Sequence, residues 1–150
     1  MKKNIRLFLF AATLFTALVG DAHALEYKAV GNDPAIMYDA PSVRGRKVFI
    51  APRGMPVEVV LTYGDWTKVR DATGGLAWME SKALVNEHNV VVRVPQAIVR
   101  AAPDESSAIV FTAEKGVLMQ LLDASNPGWL QVRHRDGLTG YVQAASVWGR

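Results

Sequence analysis

The histidines are the first candidates for catalysis or metal binding, and the chain has three of them: His23, His88 and His134. None lies four residues from another, which is the spacing of paired histidine ligands on a helix. His134 begins a His-Arg-Asp sequence that resembles the kinase catalytic loop. That loop needs an asparagine five residues after the aspartate, where this chain has Tyr141. The sequence is therefore interpreted as a hairpin turn.

The adjacent carboxylates Asp104 and Glu105 are the next candidates, because paired carboxylates can perform acid–base chemistry. They lie in a polar segment, where such neighbours are normally solvated. The chain has no cysteine, so it offers no thiolate nucleophile or metal ligand. It also has no Gly-x-Ser-x-Gly elbow and no phosphate-binding loop. The sequence predicts that the protein is not an enzyme and has no catalytic residue, metal site or cofactor.

The elements around these residues follow a strand pattern. Trp66, Lys68 and Arg70 alternate with Thr67 and Val69, which is the period-two spacing of a β-strand. A glycine turn and a second strand follow. No segment after the first 24 residues keeps a 3.6-residue apolar period, so no long helix is expected there.

The same unit occurs twice. Trp129 follows Trp66 by 63 positions, and Tyr141 follows Trp78 by the same interval. The pattern Ala-Ile-x-x-x-Ala-Pro at 35–41 recurs 62 positions later. A repeat at a fixed interval predicts two copies of one structural unit, each of about 60 residues. The two tryptophans are expected at equivalent positions, as core or half-buried strand residues.

Residues 1–24 have the three parts of a secretory signal peptide. A basic start precedes a mostly apolar segment of 14 residues, Leu7 to Gly20, and Ala22-His23-Ala24 follows. This pattern predicts cleavage after Ala24 and a periplasmic or secreted protein. Contact with the membrane would then occur only through the signal peptide before cleavage. An uncleaved membrane anchor is the alternative.

The net charge is +3, but much of it comes from this first segment. Without residues 1–24 the chain has 14 basic and 13 acidic residues. Such a balance gives no reason to expect nucleic acid as a partner.

The order of motifs in each copy resembles the bacterial SH3-type domain. The motifs are Ala-Ile-x-x-x-Ala-Pro, a polar excursion, Lys/Arg-Gly, an alternating strand, a Gly-Trp or Gly-x-Trp strand ending in Val-Arg, a glycine turn, and Trp or Tyr. The resemblance covers residues 27–149 and implies an all-β protein with two tandem SH3-like small β-barrels. The predicted division is a signal peptide at 1–24, a first domain at 25–86 and a second at 87–150.

One feature departs from the family. The usual first strand contains Leu-Asn-Val-Arg, whereas the two copies here read Ala-Ile-Met-Tyr and Ala-Ile-Val-Arg. Only Arg100 keeps the arginine.

The resemblance implies a groove beneath the polar excursion. In the first unit, Tyr38 and Tyr63 lie near strand ends, and the excursion carries Arg44, Arg46 and Lys47. Arginine can grip a carboxylate through two parallel hydrogen bonds. The predicted ligand-binding residues are therefore Tyr38, Arg44, Arg46 and Tyr63. A solvated basic loop is the alternative interpretation.

The predicted function is that of an exported, non-catalytic binding module that contacts cell-wall peptidoglycan or a wall-associated protein. The alternative is a periplasmic interaction adaptor for an enzyme or a sensor. A hydrolase is the third hypothesis. Because the second copy has Asp104 and Glu105 in its excursion, the first copy is expected to make most of the ligand contact.

Overall fold

A computed structural model describes residues 24–31 and 35–150. The described strands of the first unit are β1 Glu26–Val30, β2 Ala35–Tyr38, β3 Lys47–Ala51, β4 Pro56–Tyr63, β5 Trp66–Arg70, β6 Leu76–Glu80 and β7 Leu84–Val85. Those of the second unit are β8 Asn89–Val92, β9 Gln96–Arg100, β10 Ile109–Glu114, β11 Leu118–Asp123, β12 Trp129–Arg133, β13 Thr139–Gln143 and β14 Val147–Trp148. A single 3₁₀ turn precedes the last strand of each unit, at Ser81–Ala83 and Ala144–Ser146.

The two units have the same topology. The strand order is β3-β2-β6-β5-β4-β1-β7 in the first sheet and β10-β9-β13-β12-β11-β8-β14 in the second, with antiparallel pairing. Each strand of the first sheet therefore has a counterpart at the same place in the second. This confirms the prediction of an all-β protein built from two tandem units.

The predicted signal peptide lies, except for Ala24, outside the described residues. Its cleavage, the secreted location and the domain boundary after residue 86 therefore stay predictions. In the part of the chain that the structure describes, no helix is long and apolar enough to cross a membrane.

Each unit has its own apolar core, formed by the inward-facing residues of its strands. Met37, Val69 and Met79 are almost completely buried in the first unit. Val99 and Val132 take the places of Met37 and Val69 in the second unit and are also completely buried. In β5 and β12 alternate residues are buried, as the period-two pattern predicts.

Strand β4 departs from the predicted alternation. The sequence pattern places Val57, Val59 and Leu61 on one face, yet Val57 is completely buried and Leu61 is 44% exposed. The pairing with β5 is irregular between Val59 and Leu61, as in a β-bulge. A bulge inserts one extra residue and so exchanges the two faces of the strand beyond it.

The tryptophans Trp66 and Trp129 occupy equivalent positions, as predicted, since they pair with the equivalent residues Glu80 and Gln143. Both are half-buried and belong to neither apolar core. Their indole rings lie on the outer face of the sheet, opposite the core-facing residues of the same strand.

The two units contact each other directly. The rings of Tyr27 and Trp148 meet edge to face, with centroids 5.2 Å apart. The Asn89 side chain donates a hydrogen bond from Nδ2 to the carbonyl oxygen of Gly54 at 2.9 Å. Gly149 of the second unit has a φ of 122°, and an added Cβ would lie 2.9 Å from Cβ of Pro56 in the first unit. This close approach needs glycine.

Candidate functional site

The outer face of the first sheet carries a group of large side chains. Lys68 pairs with Trp78 across β5 and β6, Trp78 pairs with Tyr38 of β2, and Trp66 pairs with Tyr63 of β4. Side chains of directly paired residues in antiparallel strands lie on the same face. We call these five residues the aromatic face.

The aromatic face is held together by ring contacts. Tyr38 and Trp66 meet edge to face, with centroids 5.5 Å apart and planes at 85°. The Nζ atom of Lys68 lies 5.8 Å from the centre of the Trp78 ring, within reach of a cation–π interaction. Tyr38 is only 6% exposed, whereas Tyr63 is 69% exposed. The buried ring of Tyr38 therefore packs against Trp66, whereas the ring of Tyr63 is exposed to solvent.

The carboxylate of Asp39, at the start of the excursion between β2 and β3, bonds to Arg46 at its end. Asp39 accepts a hydrogen bond from the backbone N–H of Arg46 at 2.8 Å and another from its Nε at 3.3 Å. The backbone N–H of Asp39 also donates to the carbonyl oxygen of Arg46 at 3.1 Å. These bonds fix the base of the excursion directly beside Tyr38.

The structure brings some of the predicted site residues together. Trp66 contacts Tyr38 and is paired with Tyr63, and Arg46 is held beside Tyr38 by Asp39. Arg44 lies further along the excursion, where its backbone N–H bonds to Ser42 Oγ at 3.1 Å. The side chain of Arg46 is 78% exposed, and Arg44 is also exposed. Ligand binding by these four residues stays a prediction.

Sequence reasoning left three members of the aromatic face out of the predicted site: Trp66, Lys68 and Trp78. A signal was present, because Trp66 and Lys68 share strand parity with Arg70. Two charged residues of one parity indicate that this parity faces solvent, and the tryptophan with it.

An ion pair continues this outer surface towards β4. Arg70 donates from Nη1 to Glu58 Oε1 at 2.7 Å, and the Glu58 side chain is only 11% exposed. Tyr27 pairs with Glu58 across β1 and β4. Burial of its ring raises the pKa of the Tyr27 hydroxyl, and the nearby Glu58 carboxylate raises it further.

The second unit fills the equivalent positions differently. Arg100 replaces Tyr38, Tyr141 replaces Trp78, and Gln131 replaces Lys68. Arg100 donates from Nη1 to the carbonyl oxygen of Ser107 at 2.8 Å. A cavity of about 210 Å³ lies beside Trp129 and Arg100. This face has an arginine, Arg100, in place of Tyr38, which packs edge to face against Trp66 in the first unit.

The segment around His134 is a hairpin turn between β12 and β13, as interpreted from the sequence. His134 Nδ1 lies 3.0 Å from Asp136 Oδ2, and the Leu138 backbone N–H donates to Asp136 Oδ1 at 3.0 Å. The Leu138 bond and then the histidine lower the pKa of Asp136. Among residues 24–31 and 35–150, no three His, Asp or Glu side chains are grouped so that they could hold a metal ion.

The family model described as Bacterial SH3 domain matches this chain twice, at residues 31–85 and 93–149. This confirms the predicted family resemblance and its tandem arrangement. A search of curated protein sequences gave no match.

Solved structures with a similar arrangement include two proteins from Trichomonas vaginalis and one from Bacillus cereus ATCC 10987. NlpC2 of T. vaginalis is 13% identical, with a TM-score of 0.37, and the match covers 85% of this chain and 49% of that one. NlpC1 of T. vaginalis is 14% identical, with a TM-score of 0.40 and coverages of 87% and 48%. The B. cereus protein, of the NlpC/P60 family, is 18% identical, with a TM-score of 0.38 and coverages of 82% and 56%. This chain thus spans about half the length of each of the three proteins.

Proposed function

Since the chain belongs to the bacterial SH3 domain family, we propose that it is an exported, non-catalytic binding protein of the cell envelope. Its ligand is cell-wall peptidoglycan or a wall-associated protein. The first unit makes most of the contact, through the aromatic face and the excursion that begins beside it.

The observation that supports this proposal most is the exposed ring of Tyr63 on the face that also carries Trp66. Tyrosine is usually partly buried, yet Tyr63 is 69% exposed at the end of β4. The ring of its strand partner Trp66 packs edge to face against Tyr38. Tyrosine and tryptophan are enriched at interfaces, because each combines a large apolar ring with a polar group.

The charges beside this surface suit the same ligand. Arg46 extends from the base of the excursion, which Asp39 fixes beside Tyr38, and Arg44 lies further along the same excursion. Peptide stems and many proteins offer carboxylates, which arginine binds in bidentate geometry. Exposed ion pairs contribute about 0–1 kcal/mol each, so binding needs the aromatic contacts as well.

The first test is sedimentation of the purified two-unit protein with isolated sacculi at low salt. We expect the wild-type protein to sediment and Tyr63→Ala to remain largely in the supernatant. Because Tyr63 is highly exposed, its removal should leave the fold intact, which circular dichroism checks. Leu138→Ala is the matched control, since Leu138 is an exposed apolar residue of the second unit.

Two further outcomes separate the alternatives. A wild-type protein that stays soluble with sacculi, but crosslinks to one envelope protein, would favour the adaptor over direct wall binding. Cleavage of purified muropeptides by the protein, followed by chromatography, would contradict the non-catalytic part of the proposal. We expect no cleavage.

A further inference from the structure

A second groove lies between the two units, away from the aromatic face. It has a volume of about 720 Å³ and is lined by the turn at 52–54 of the first unit and, in the second unit, by the turn at 116–117, the start of β11, residues 133–135 and Gly137. Ligand pockets are typically about 300–1,000 Å³. The groove is thus large enough for a ligand, and both units are needed to form it.

The groove is strongly basic. Arg53, Arg133 and Arg135 line it, and no Asp or Glu does so in the described part of the chain. None of these three arginines takes part in an ion pair among residues 24–31 and 35–150. Asp136 does not line the groove; its carboxylate lies 3.0 Å from His134 Nδ1 and accepts a hydrogen bond from the Leu138 backbone N–H. Among the described residues, three arginines and no carboxylate therefore line one groove.

The walls between the arginines are largely apolar. Pro52, Val117 and Leu118 contribute to them. The two sides are held in place by the hydrogen bond from Asn89 to the Gly54 carbonyl oxygen. Added Cβ atoms at Gly116 and Gly137 would meet nothing within 4 Å, so the rim at these two turns is open.

We propose that this groove binds an acidic peptide segment in which carboxylates alternate with apolar side chains. The arginines match the carboxylates in charge and in fork geometry. The apolar walls distinguish such a peptide from a phosphate polymer, which has no apolar groups to bury there. The site is separate from the aromatic face and does not depend on the function proposed for it.

The experiment measures binding of a capped pentapeptide that alternates glutamate and leucine to the intact two-unit protein, by fluorescence anisotropy and amide chemical shifts. We expect saturable, salt-sensitive binding, with shifts at the amides of Gly54, Gly116 and Gly137. Replacing one of the three arginines by glutamine should weaken binding about threefold, and replacing all three about tenfold or more, in line with exposed charge pairs.

One matched variant and two matched probes keep the test specific. Arg93→Gln removes the same charge at an exposed position outside the groove and should bind as the wild type does. A pentapeptide with lysine in place of glutamate should not bind, and inorganic polyphosphate should bind more weakly than the acidic peptide. Unchanged affinity in the folded triple variant would overturn the proposal, as would equal binding of the lysine peptide or of polyphosphate.

Discussion

The two units differ in a pair of side chains at the same place in each fold, between the middle of the sheet and the 3₁₀ turn. In the first unit, the hydroxyls of Thr67 and Ser81 form a hydrogen bond of 2.8 Å, and Thr67 is only 4% exposed. In the second unit, Leu130 and Ala144 occupy these positions, and both are buried in the apolar core. A polar pair and an apolar pair thus support the same strand order. In the first the two hydroxyls bond to each other, and in the second neither side chain has a polar group that needs a partner.

The outer faces differ even more. Tyr38 packs under Trp66 in the first unit, whereas Arg100 lies beside Trp129 in the second. The excursion that carries Arg44 has its counterpart in the excursion that carries Asp104. Inward-facing positions are mostly apolar in both copies, whereas the outer face keeps Trp66 and Trp129 at one position and changes the residues around them. The fold is therefore specified by alternate residues, and the remaining residues are available for different binding tasks.

The largest expected effect separates the two buried pairs. Leu130→Ala should lower the free energy of unfolding of the second unit by about 2–5 kcal/mol, because it removes a completely buried side chain and leaves a cavity. Thr67→Ala should cost the first unit about 1 kcal/mol, the usual net value of one hydrogen bond. Hydrogen exchange of each unit measures both. Equal losses would show that the pairs do not differ as described.

A second comparison concerns the ion pair of the first unit. Arg70→Met leaves the nearly buried carboxylate of Glu58 without its partner and should cost about 1.5–3 kcal/mol. In the second unit, the equivalent Arg133 is exposed and pairs across the strands with Gln120. Arg133→Met should therefore change stability by less than about 0.5 kcal/mol. Urea unfolding followed by tryptophan fluorescence measures both, and a larger loss from Arg133→Met would contradict the comparison.

A close approach between strands also differs between the units. In the second unit an added Cβ at Gly140 would lie 2.6 Å from Val99 Cγ1 and 2.7 Å from the Arg100 carbonyl oxygen. Gly140→Ala should therefore destabilise that unit by about 1–3 kcal/mol through overpacking. In the first unit Ala77 already fills this position beside Met37. Ala77→Gly should cost about 0.5–1 kcal/mol, as expected for glycine in a strand. Thermal unfolding checks that Gly140→Ala lowers the melting temperature of its unit more than Ala77→Gly does. A smaller decrease for Gly140→Ala would contradict this comparison.

The smallest effect is a pH dependence of the second unit. Hydrogen bonds from Ser106 lower the pKa of Asp104, those from Ser125 lower that of Asp123, and the Leu138 N–H lowers that of Asp136. A carboxylate whose pKa is lower in the folded state stabilises the fold at pH values above its ordinary pKa of 3.8. This contribution is lost as the pH falls through the lower folded value. Amide protection factors in the second unit, which are corrected for the intrinsic pH dependence of exchange, should therefore fall below about pH 4.

The triple variant Asp104→Asn, Asp123→Asn and Asp136→Asn is the control for this dependence. It should flatten the acid-induced change in the second unit and leave the first unit as it was. If the change persists unaltered, other groups are responsible for it.

The strands and turns were predictable because their causes are local. Alternation sets which residues of β5 share a face, and glycine with a positive φ closes the turns at Gly74 and Gly137. The repeat then showed that one unit occurs twice. The bulge in β4 was not predictable, because it depends on pairing with β5 and not on the sequence of β4 alone.

The candidate site was only partly predictable for a related reason. Tyr38 and Tyr63 were chosen because they lie near strand ends, but burial of Tyr38 depends on Trp66 from a distant strand. The groove between the units needs Arg53 and Arg133, which are far apart in sequence and close only after both units have folded. Neither the Tyr38–Trp66 contact nor the groove between the units produces a pattern in a short stretch of sequence.

The most direct measurement compares two charge variants in the sacculus sedimentation experiment. We expect the folded double variant Arg44→Glu with Arg46→Glu to lose wall binding, because it reverses the charge beside the aromatic face. Asp104→Lys, which changes the equivalent excursion of the second unit, should bind as the wild type does. If the double variant sediments like the wild type, or if Asp104→Lys alone abolishes binding, the first unit is not the one that contacts the wall.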